Sequence, residues 1–128
     1  MQCPCNSSKK YNVCCKVAHE NIKNILTAEQ LMRSRYSAFV LGDINYLNKS
    51  HHSTTRPTKQ ENKEILLWTK SVKWIKLEVV NTTKGLYNDL TGTVEFKAFF
   101  LENNLVDVIH ENSSFCLENN HWVYLQAN

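Results

Sequence analysis

The length, composition and charge of the chain exclude several classes of protein. Its 128 residues, 42% of them hydrophobic, suit one small domain with a short appendage. No apolar run approaches the roughly 20 residues that a membrane-spanning helix needs. The formal net charge of +3 arises entirely within residues 1–24, and the other 104 residues carry eleven basic and eleven acidic side chains. Because the main body has no excess of basic charge, nucleic-acid binding is not expected.

The first fifteen residues contain four of the five cysteines. Cys3 and Cys5 flank Pro4, and Cys14 and Cys15 follow after eight residues. Two close pairs separated by a short polar loop can supply the four thiolates of a tetrahedral zinc site. Three lysines beside the pairs favour the deprotonated form of the sulfurs. The spacing therefore predicts a structural zinc ion held by Cys3, Cys5, Cys14 and Cys15, with no coordination position left for a substrate.

Disulfide and redox chemistry are the alternatives for these cysteines. Two disulfides would require an oxidising compartment. Residues 1–3 leave no room for the basic and apolar regions of a secretory signal, so a reducing cytosol is expected. A redox pair usually has the form Cys-x-x-Cys beside a βαβ unit, and neither feature is present.

Two further residues have metal-binding or thiol chemistry. His19 is a candidate substitute ligand, but we expect it at the surface because four thiols already fill the tetrahedron. Cys116 stands between Phe115 and Leu117, and we expect this fifth thiol to be a buried, unreactive part of the core.

Three helices are predicted after the cysteines. A capping box at residues 27–30 begins a helix that Gly42 ends. Asp43 then caps a short helix over residues 44–49. After a polar loop, a third helix is predicted over residues 58–70. Its candidates for burial are Ile65, Leu66 and Trp68.

From residue 72 the apolar period changes to two, which predicts strands. The predicted strands are residues 74–80, 93–100, 105–117 and 122–125, with a weak strand or loop between 81 and 92 and turns at 102–104 and 119–120. The alternation places Ile75, Leu77 and Val79 on one face of the first strand, and Val94, Phe96, Ala98 and Phe100 on one face of the second. A bulge is expected near residues 112–113. Helices followed by an antiparallel meander of three or four strands form an α+β pattern.

The motifs, taken in order, resemble a known family. The segment from Cys3 to Cys15 resembles the SEC-C zinc motif, and the rest of the chain resembles the YchJ family, also called UPF0225. The matching stretches are residues 31–43, His52, 56–57, 92–98, 110–111, 114–115 and 122–124. The resemblance implies a SEC-C zinc knot over residues 1–20 and an NTF2-like domain over residues 27–128. Such a domain is a cone, in which helices pack on a strongly curved antiparallel sheet.

The sequence departs from the family pattern at three positions. The family usually has glycines where Asn6 and Ser8 stand, which predicts left-handed backbone angles at both residues. Asparagine accepts such angles more readily than serine, so slight strain is expected at Ser8. The family commonly has an arginine at the position of Ser114, and any role of that arginine is absent here.

A cytosolic zinc-binding adaptor is the first function that these features predict. In that function the zinc knot docks another protein or the ribosome. The alternative use of the metal is to staple the N-terminus to the domain, since structural zinc contributes folding energy with or without a partner.

A small-molecule binder or an enzyme is the second function, because cones of this fold often carry a pocket. The polar candidates for such a pocket are Arg33, Arg35, Tyr36, His52, Arg56, His110 and Glu111. His52 and His110 are the candidates for a general base. His110 shares a strand face with two valines, so a hydrogen-bonded core histidine is an equal expectation. The fold itself implies no reaction.

Overall fold

The computed structural model describes residues 1–128, and it consists of an N-terminal cysteine segment (residues 1–20), a group of helices and one sheet. The helices are α1 (Cys15–Glu20), α2 (Ala28–Leu41), α3 (Ile44–Lys49) and α4 (Lys59–Ser71), with 3-10 turns at Tyr11–Val13 and Ile22–Asn24. The strands are β1 (Lys73–Lys84), β2 (Thr91–Glu102), β3 (Leu105–Glu118) and β4 (His121–Ala127). The predicted α+β class is confirmed. No helix combines the length and the apolar character that crossing a bilayer requires.

Local hydrogen bonds explain where the helices begin and end. The Thr27 Oγ1 atom accepts the Gln30 N–H at 3.1 Å, while the Gln30 side chain accepts the Leu26 N–H, one residue earlier than a standard capping box. Gly42 ends α2 with a left-handed φ of 72°. Thr58 is the N-cap of α4 and not its first residue, because its side chain accepts the Glu61 N–H while the Glu61 side chain accepts the Thr58 N–H.

The four strands form one antiparallel sheet in the order β1-β2-β3-β4. Two asparagine pairs make the tight turns that this meander needs. Asn103 and Asn104 have φ angles of 52° and 64°, and Asn119 and Asn120 have φ angles of 54° and 66°. Asparagine is one of the few residues other than glycine that adopts such angles readily, and two of them in succession match the twist of a hairpin.

Two predictions about the strands are wrong in detail. Ile75 is 46% exposed, because the pairing of β1 with β2 skips a residue between Trp74 and Lys76, which leaves Ile75 facing outward. The bulge expected near residues 112–113 is absent from the pairing of β2 with β3, which runs without a break. The irregularity lies instead against β4, where Ser114 and Phe115 pair with residues 126 and 124, so that Leu125 is the extra residue.

The core lies between α2 and one face of the sheet, which we call the inner face. Leu31 of α2, Val94 of β2 and Phe115 of β3 are almost completely buried there. The alternation predicted for β2 is confirmed, since the side chains of Val94, Phe96, Ala98 and Phe100 are all buried or half-buried. Cys116 is only half-buried, contrary to expectation, because the neighbouring Phe115 takes the inner face and alternation directs Cys116 outward. Ile65, Leu66 and Trp68 are also half-buried rather than buried.

Candidate metal centre and cavity

The four sulfurs of the cysteine segment meet at one point. The Sγ atoms of Cys3, Cys5, Cys14 and Cys15 all lie within 4.8 Å of one another, and those of Cys5 and Cys14 are 3.6 Å apart. A tetrahedral ion with metal–sulfur bonds of about 2.3 Å would separate its ligands by about 3.8 Å. Three of the thiols are buried and Cys14 is half-buried. The number, spacing and chemistry of these donors fit a tetrahedral metal ion that prefers sulfur.

Backbone pairing within the segment brings the two cysteine pairs together. The Cys3 N–H donates to the Lys9 carbonyl at 2.9 Å, and the Tyr11 N–H donates to the Met1 carbonyl at 2.9 Å. Between these contacts the chain reverses through Asn6 and Ser8, whose φ angles are 62° and 69°. The left-handed angles predicted at these two positions are therefore confirmed. The second pair of cysteines is placed by α1, which starts at Cys15.

Hydrogen bonds between the thiols stabilise one negative charge in the cluster. Interaction with the Cys15 thiol lowers the pKa of Cys5 to about 4, although burial opposes the shift. The same interaction, together with burial, raises the pKa of Cys15. Burial also raises the pKa of Cys14, whose sulfur lies 3.1 Å from the Ser7 hydroxyl. A metal ion bound here would displace the remaining thiol protons, because thiolates are the ligands.

Contacts with α2 and β1 fix the cysteine segment to the domain. The Cys3 sulfur lies 3.6 Å from the Ser37 hydroxyl, and the Arg33 guanidinium donates to the Cys5 carbonyl at 2.7 Å. The Asn6 side chain accepts the Leu77 N–H at 2.8 Å. These contacts come from both a helix and a strand of the domain, so the segment is packed into the domain rather than tethered beside it.

His19 is not the surface residue that the sequence predicts. Its ring is half-buried and lies 4.6 Å from the ring of Tyr46, centre to centre. Its Nε2 atom is 2.8 Å from the Ser34 carbonyl, which can only accept, so Nε2 carries the proton. Nδ1 then accepts the Tyr11 hydroxyl at 2.7 Å. Both ring nitrogens are thus occupied by the protein, which leaves neither for a metal ion.

A cavity of about 270 Å³ is the second candidate site. It lies between the inner face of the sheet and helices α2, α3 and α4, and thirteen of its twenty lining residues are apolar. The aromatic residues in its wall are Tyr36, Phe39, Trp68, Trp74, Phe96, Phe115 and Tyr124. The polar residues in its wall are Arg35, Asn48, His51, Asn62, Glu111 and Ser113.

Three of the seven predicted pocket residues line this cavity, namely Arg35, Tyr36 and Glu111. Arg33 does not, because two positions along a helix turn the side chain by about 200°, toward the cysteine segment. His110 does not, because it is one residue from Glu111 on a strand and therefore lies on the outer face. It is exposed there and its Nε2 atom lies 2.7 Å from the Glu95 carboxylate.

The other two predicted pocket residues, His52 and Arg56, also lie outside the cavity wall. His52 turns toward β3, with its Nε2 atom 3.5 Å from the Glu118 carboxylate. Arg56 donates to the His51 carbonyl at 2.9 Å, so it supports the loop rather than the cavity. Neither of the histidines proposed as a general base therefore touches the cavity.

His51, which was not among the predicted pocket residues, is the histidine that lines the cavity. Its side chain packs edge-on against Tyr124, with 4.9 Å between ring centres, and its Nε2 atom lies 3.1 Å from the Thr55 hydroxyl. Burial, followed by the positive charges of Arg35 and Arg56, lowers the pKa of His51 to about 4, so the ring is neutral at physiological pH. The adjacent His51 and His52 offered no sequence signal for choosing between them.

Arg35 is the one positive charge in the cavity wall. Its side chain is 9% exposed, and its Nη1 atom donates to the Leu47 carbonyl at 2.9 Å and the Ser50 hydroxyl at 2.7 Å. The guanidinium carbon lies 4.8 Å from the ring centre of Tyr124. Burial lowers the pKa of Arg35 to about 10, which still leaves it charged at neutral pH.

The fold and the sites together define a class: an NTF2-like domain with a four-cysteine segment fastened to its N-terminal side. Residues 27–127 match the domain described as YchJ, middle NTF2-like domain. UPF0225 proteins of Vibrio parahaemolyticus and Vibrio vulnificus are 40% and 41% identical to the chain over 125 residues, which cover 98% of this chain and 73% of each relative. The chain belongs to this UPF0225 (YchJ) family.

Solved structures agree with this assignment. A SEC-C motif containing protein from Rhodopseudomonas palustris matches with a TM-score of 0.84 and 26% identity, over 100% of this chain and 98% of its own. A SEC-C motif containing protein from Psychrobacter arcticus matches with a TM-score of 0.78 and 32% identity, over 97% of this chain and 80% of its own. The cysteine cluster thus stands in a chain whose structural neighbours carry the SEC-C motif.

Proposed function

We propose that the protein is a small-molecule-binding NTF2-like domain that a structural zinc ion fastens at its N-terminus. The observation that carries the proposal is the position of α2 between the two sites. Arg33 and Ser37 of this helix contact the cysteine segment, while Arg35 and Tyr36 line the cavity. A metal ion that fixes the cysteine segment would therefore also fix the helix that forms one wall of the cavity.

Zinc is the metal that the donor set favours. Four thiolates in a compact, mostly buried cluster are typical of structural zinc sites. Cys3, Cys5, Cys14 and Cys15 would hold the ion, which would supply a cross-link between the two ends of the cysteine segment. Since protein sulfurs would fill all four positions, no substrate would reach the ion. A cytosolic location is part of the proposal, because such a centre needs reduced cysteines.

Ligand binding in the cavity is supported by its size and lining. Ligand pockets are mostly apolar with a few placed polar groups, and their volumes run from about 300 to 1,000 Å³. The cavity, at about 270 Å³, is slightly smaller than the lower limit of that range, so its ligand would be small. Neither His52 nor His110 contacts the cavity, so the proposal is binding, with no general base from either residue.

An adaptor function of the cysteine segment is the second candidate. The segment exposes Val13 and Val17, with 64% and 42% of their surface accessible, and it also exposes Lys9 and Lys10. Exposed apolar and basic side chains in one short segment would suit contact with a partner protein or the ribosome. A segment that served only for docking would contribute little to the stability of the domain, whereas a staple would contribute much.

A cavity-filling substitution tests the proposed binding function. Ala98 is 3% exposed and lines the cavity, so Ala98→Phe would place a phenyl ring in it. The probes are octanoate, octanol, phenylbutyrate and phenylbutanol, followed by the fluorescence of Trp68 and Trp74 in the cavity wall. At least one probe should bind the wild type, and Ala98→Phe should weaken that binding by at least about tenfold.

Two controls accompany this test. Leu105→Phe adds the same ring at a position that is 72% exposed, and it should leave binding unchanged. Ala98→Leu, which fills less of the cavity, is the second variant to be tested if the phenyl ring prevents folding. The proposal fails if no probe binds the wild type, or if a folded Ala98 variant binds as well as the wild type does.

A further inference from the structure

The buried guanidinium of Arg35 has no anionic partner in the protein. None of the ion pairs of the structure includes Arg35, and no carboxylate oxygen lies within 4.0 Å of its nitrogens. The side chain is 9% exposed, so it is largely removed from water as well. A buried charge without a counterion is costly, so an anionic ligand that pairs with Arg35 would offset this cost.

Part of the guanidinium remains free to bind a ligand. Arginine has five N–H donors, and the two hydrogen bonds that Arg35 makes both come from Nη1. Nε and Nη2 donate to no protein acceptor. Neither atom is sealed off, since Trp74 Nε1 is the only fully buried side-chain polar atom without a partner. Arg35 therefore keeps N–H groups available at the cavity wall.

No other group in the cavity wall forms an ion pair with Arg35. Glu111 is the only carboxylate in the wall, and its side chain accepts one hydrogen bond, from the Ser113 hydroxyl at 3.5 Å. Leu47 and Ser50 accept from Nη1, and Tyr124 offers only the face of its ring at 4.8 Å. These contacts hold the guanidinium in place without neutralising it.

We infer that the cavity binds a small monocarboxylate with an apolar body, and that Arg35 binds the carboxylate. The inference rests on the proposed binding function. The planar guanidinium matches a carboxylate in shape and hydrogen bonding. The wall holds one positive charge, on Arg35, and Glu111 in the same wall repels additional negative charge, which favours a monocarboxylate over a phosphate dianion. The aromatic and aliphatic wall then receives the rest of the molecule.

Pairs of probes with the same body and different heads test this inference. Octanoate is compared with octanol, and phenylbutyrate with phenylbutanol, by tryptophan fluorescence of the intact 128-residue chain at neutral pH. In each pair that binds, the carboxylate should bind about ten- to hundredfold more tightly than the alcohol, as expected for a charged hydrogen bond in a dry site. Equal binding of acid and alcohol would overturn the inference but leave the proposed binding function intact. Binding of neither would overturn both.

Substitutions of Arg35 test whether its positive charge causes the preference for the carboxylate. In Arg35→Gln the acid should bind no more tightly than the alcohol, while Arg35→Lys, which keeps the charge, should retain part of the preference. Lys63→Gln removes one charge from the exposed side of α4 and should change nothing. A folded Arg35→Gln protein that still prefers the acid would contradict the assignment to Arg35. The wild-type comparison decides the carboxylate preference even if both Arg35 variants fail to fold.

Discussion

At the scale of single residues, the neighbours of each titratable group decide its charge. His51 faces Arg35 from α2, Arg56 and His52 from its own loop, Thr55, and the ring of Tyr124 from β4. Burial and the two arginines disfavour a second positive charge, which is why the pKa of His51 is lowered to about 4. His51 therefore contributes a neutral ring to the cavity wall.

His51 should titrate near pH 4 in the folded protein. Because its pKa is lower in the folded than in the unfolded chain, unfolding takes up a proton between pH 6.5 and about 4. Above pH 6.5 the ring is neutral in the folded and the unfolded chain, so His51 does not lower the free energy of unfolding. As the pH falls to 4, the free energy of unfolding decreases by about 2 kcal/mol. This loss is smaller than the full pKa shift would give, because solvent screens part of the interaction. NMR titration of the ring checks this, with His51→Gln to assign the signal. Titration at pH 6.5 or above would contradict it.

The functional residues of a site could be predicted where the residues that form the site are close together in the sequence. Cys3, Cys5, Cys14 and Cys15 are brought together by local turns and by α1, so their spacing alone predicted the cluster. The cavity residues come from three helices and four strands that are far apart in the chain. Their side-chain directions depend on register, which is why His110 was assigned to the wrong face and His51 was missed.

At the scale of elements, the start of α2 rests on the connection between β1 and β2. The Ala28 N–H donates to the Gly85 carbonyl at 2.9 Å, and the Gly85 N–H donates to the Thr91 carbonyl at 3.0 Å. A Cβ atom on Gly92 would lie 2.5 Å from the Gly85 Cα atom and 2.6 Å from its nitrogen. Backbone atoms cannot move aside as a flexible side chain would, so this crossing requires glycine at position 92.

Gly92→Ala should lower the free energy of unfolding by about 2–3 kcal/mol through this overlap. Gly42→Ala is the matched control, because Gly42 has a left-handed φ of 72° but no overlap, since the atom nearest to an added Cβ is 3.6 Å away on Leu66, an ordinary van der Waals contact. It should cost only about 1 kcal/mol from backbone strain. Urea unfolding of both variants measures the difference. A Gly92→Ala protein as stable as the wild type would rule out the close crossing.

Helix ends and hairpin turns could be predicted from short sequence signals. The side chains on each face of a strand could be predicted only where the pairing of the strands is regular. Gly42 and Asp43 end one helix and begin the next as the sequence predicts. The faces of β2 were also predictable, because its pairing with β3 has no break. In β1 the irregularity at Ile75 reverses the alternation, and nothing in the sequence marks that position.

At the scale of the whole molecule, a metal ion bound by the four cysteines would contribute to the stability of the entire domain. The cysteine segment contacts α2 through Ser37 and Arg33, and β1 through Leu77. Binding of an ion by the folded cluster alone stabilises the folded state by mass action. Structural zinc commonly contributes many kcal/mol of folding free energy, so its loss should be felt across the domain and not only in the first twenty residues.

The most direct test is the unfolding temperature of the purified protein before and after zinc removal by a chelator, with metal content measured on the same samples. We expect about one zinc ion per chain, and a fall in the unfolding temperature of at least about 10 °C when it is removed. Cys14→Ser should resemble the zinc-free protein, while Cys116→Ser should resemble the wild type, because Cys116 lies on the other face of the sheet from the core. A wild-type protein without stoichiometric zinc, or one that unfolds at the same temperature with and without it, would contradict the account.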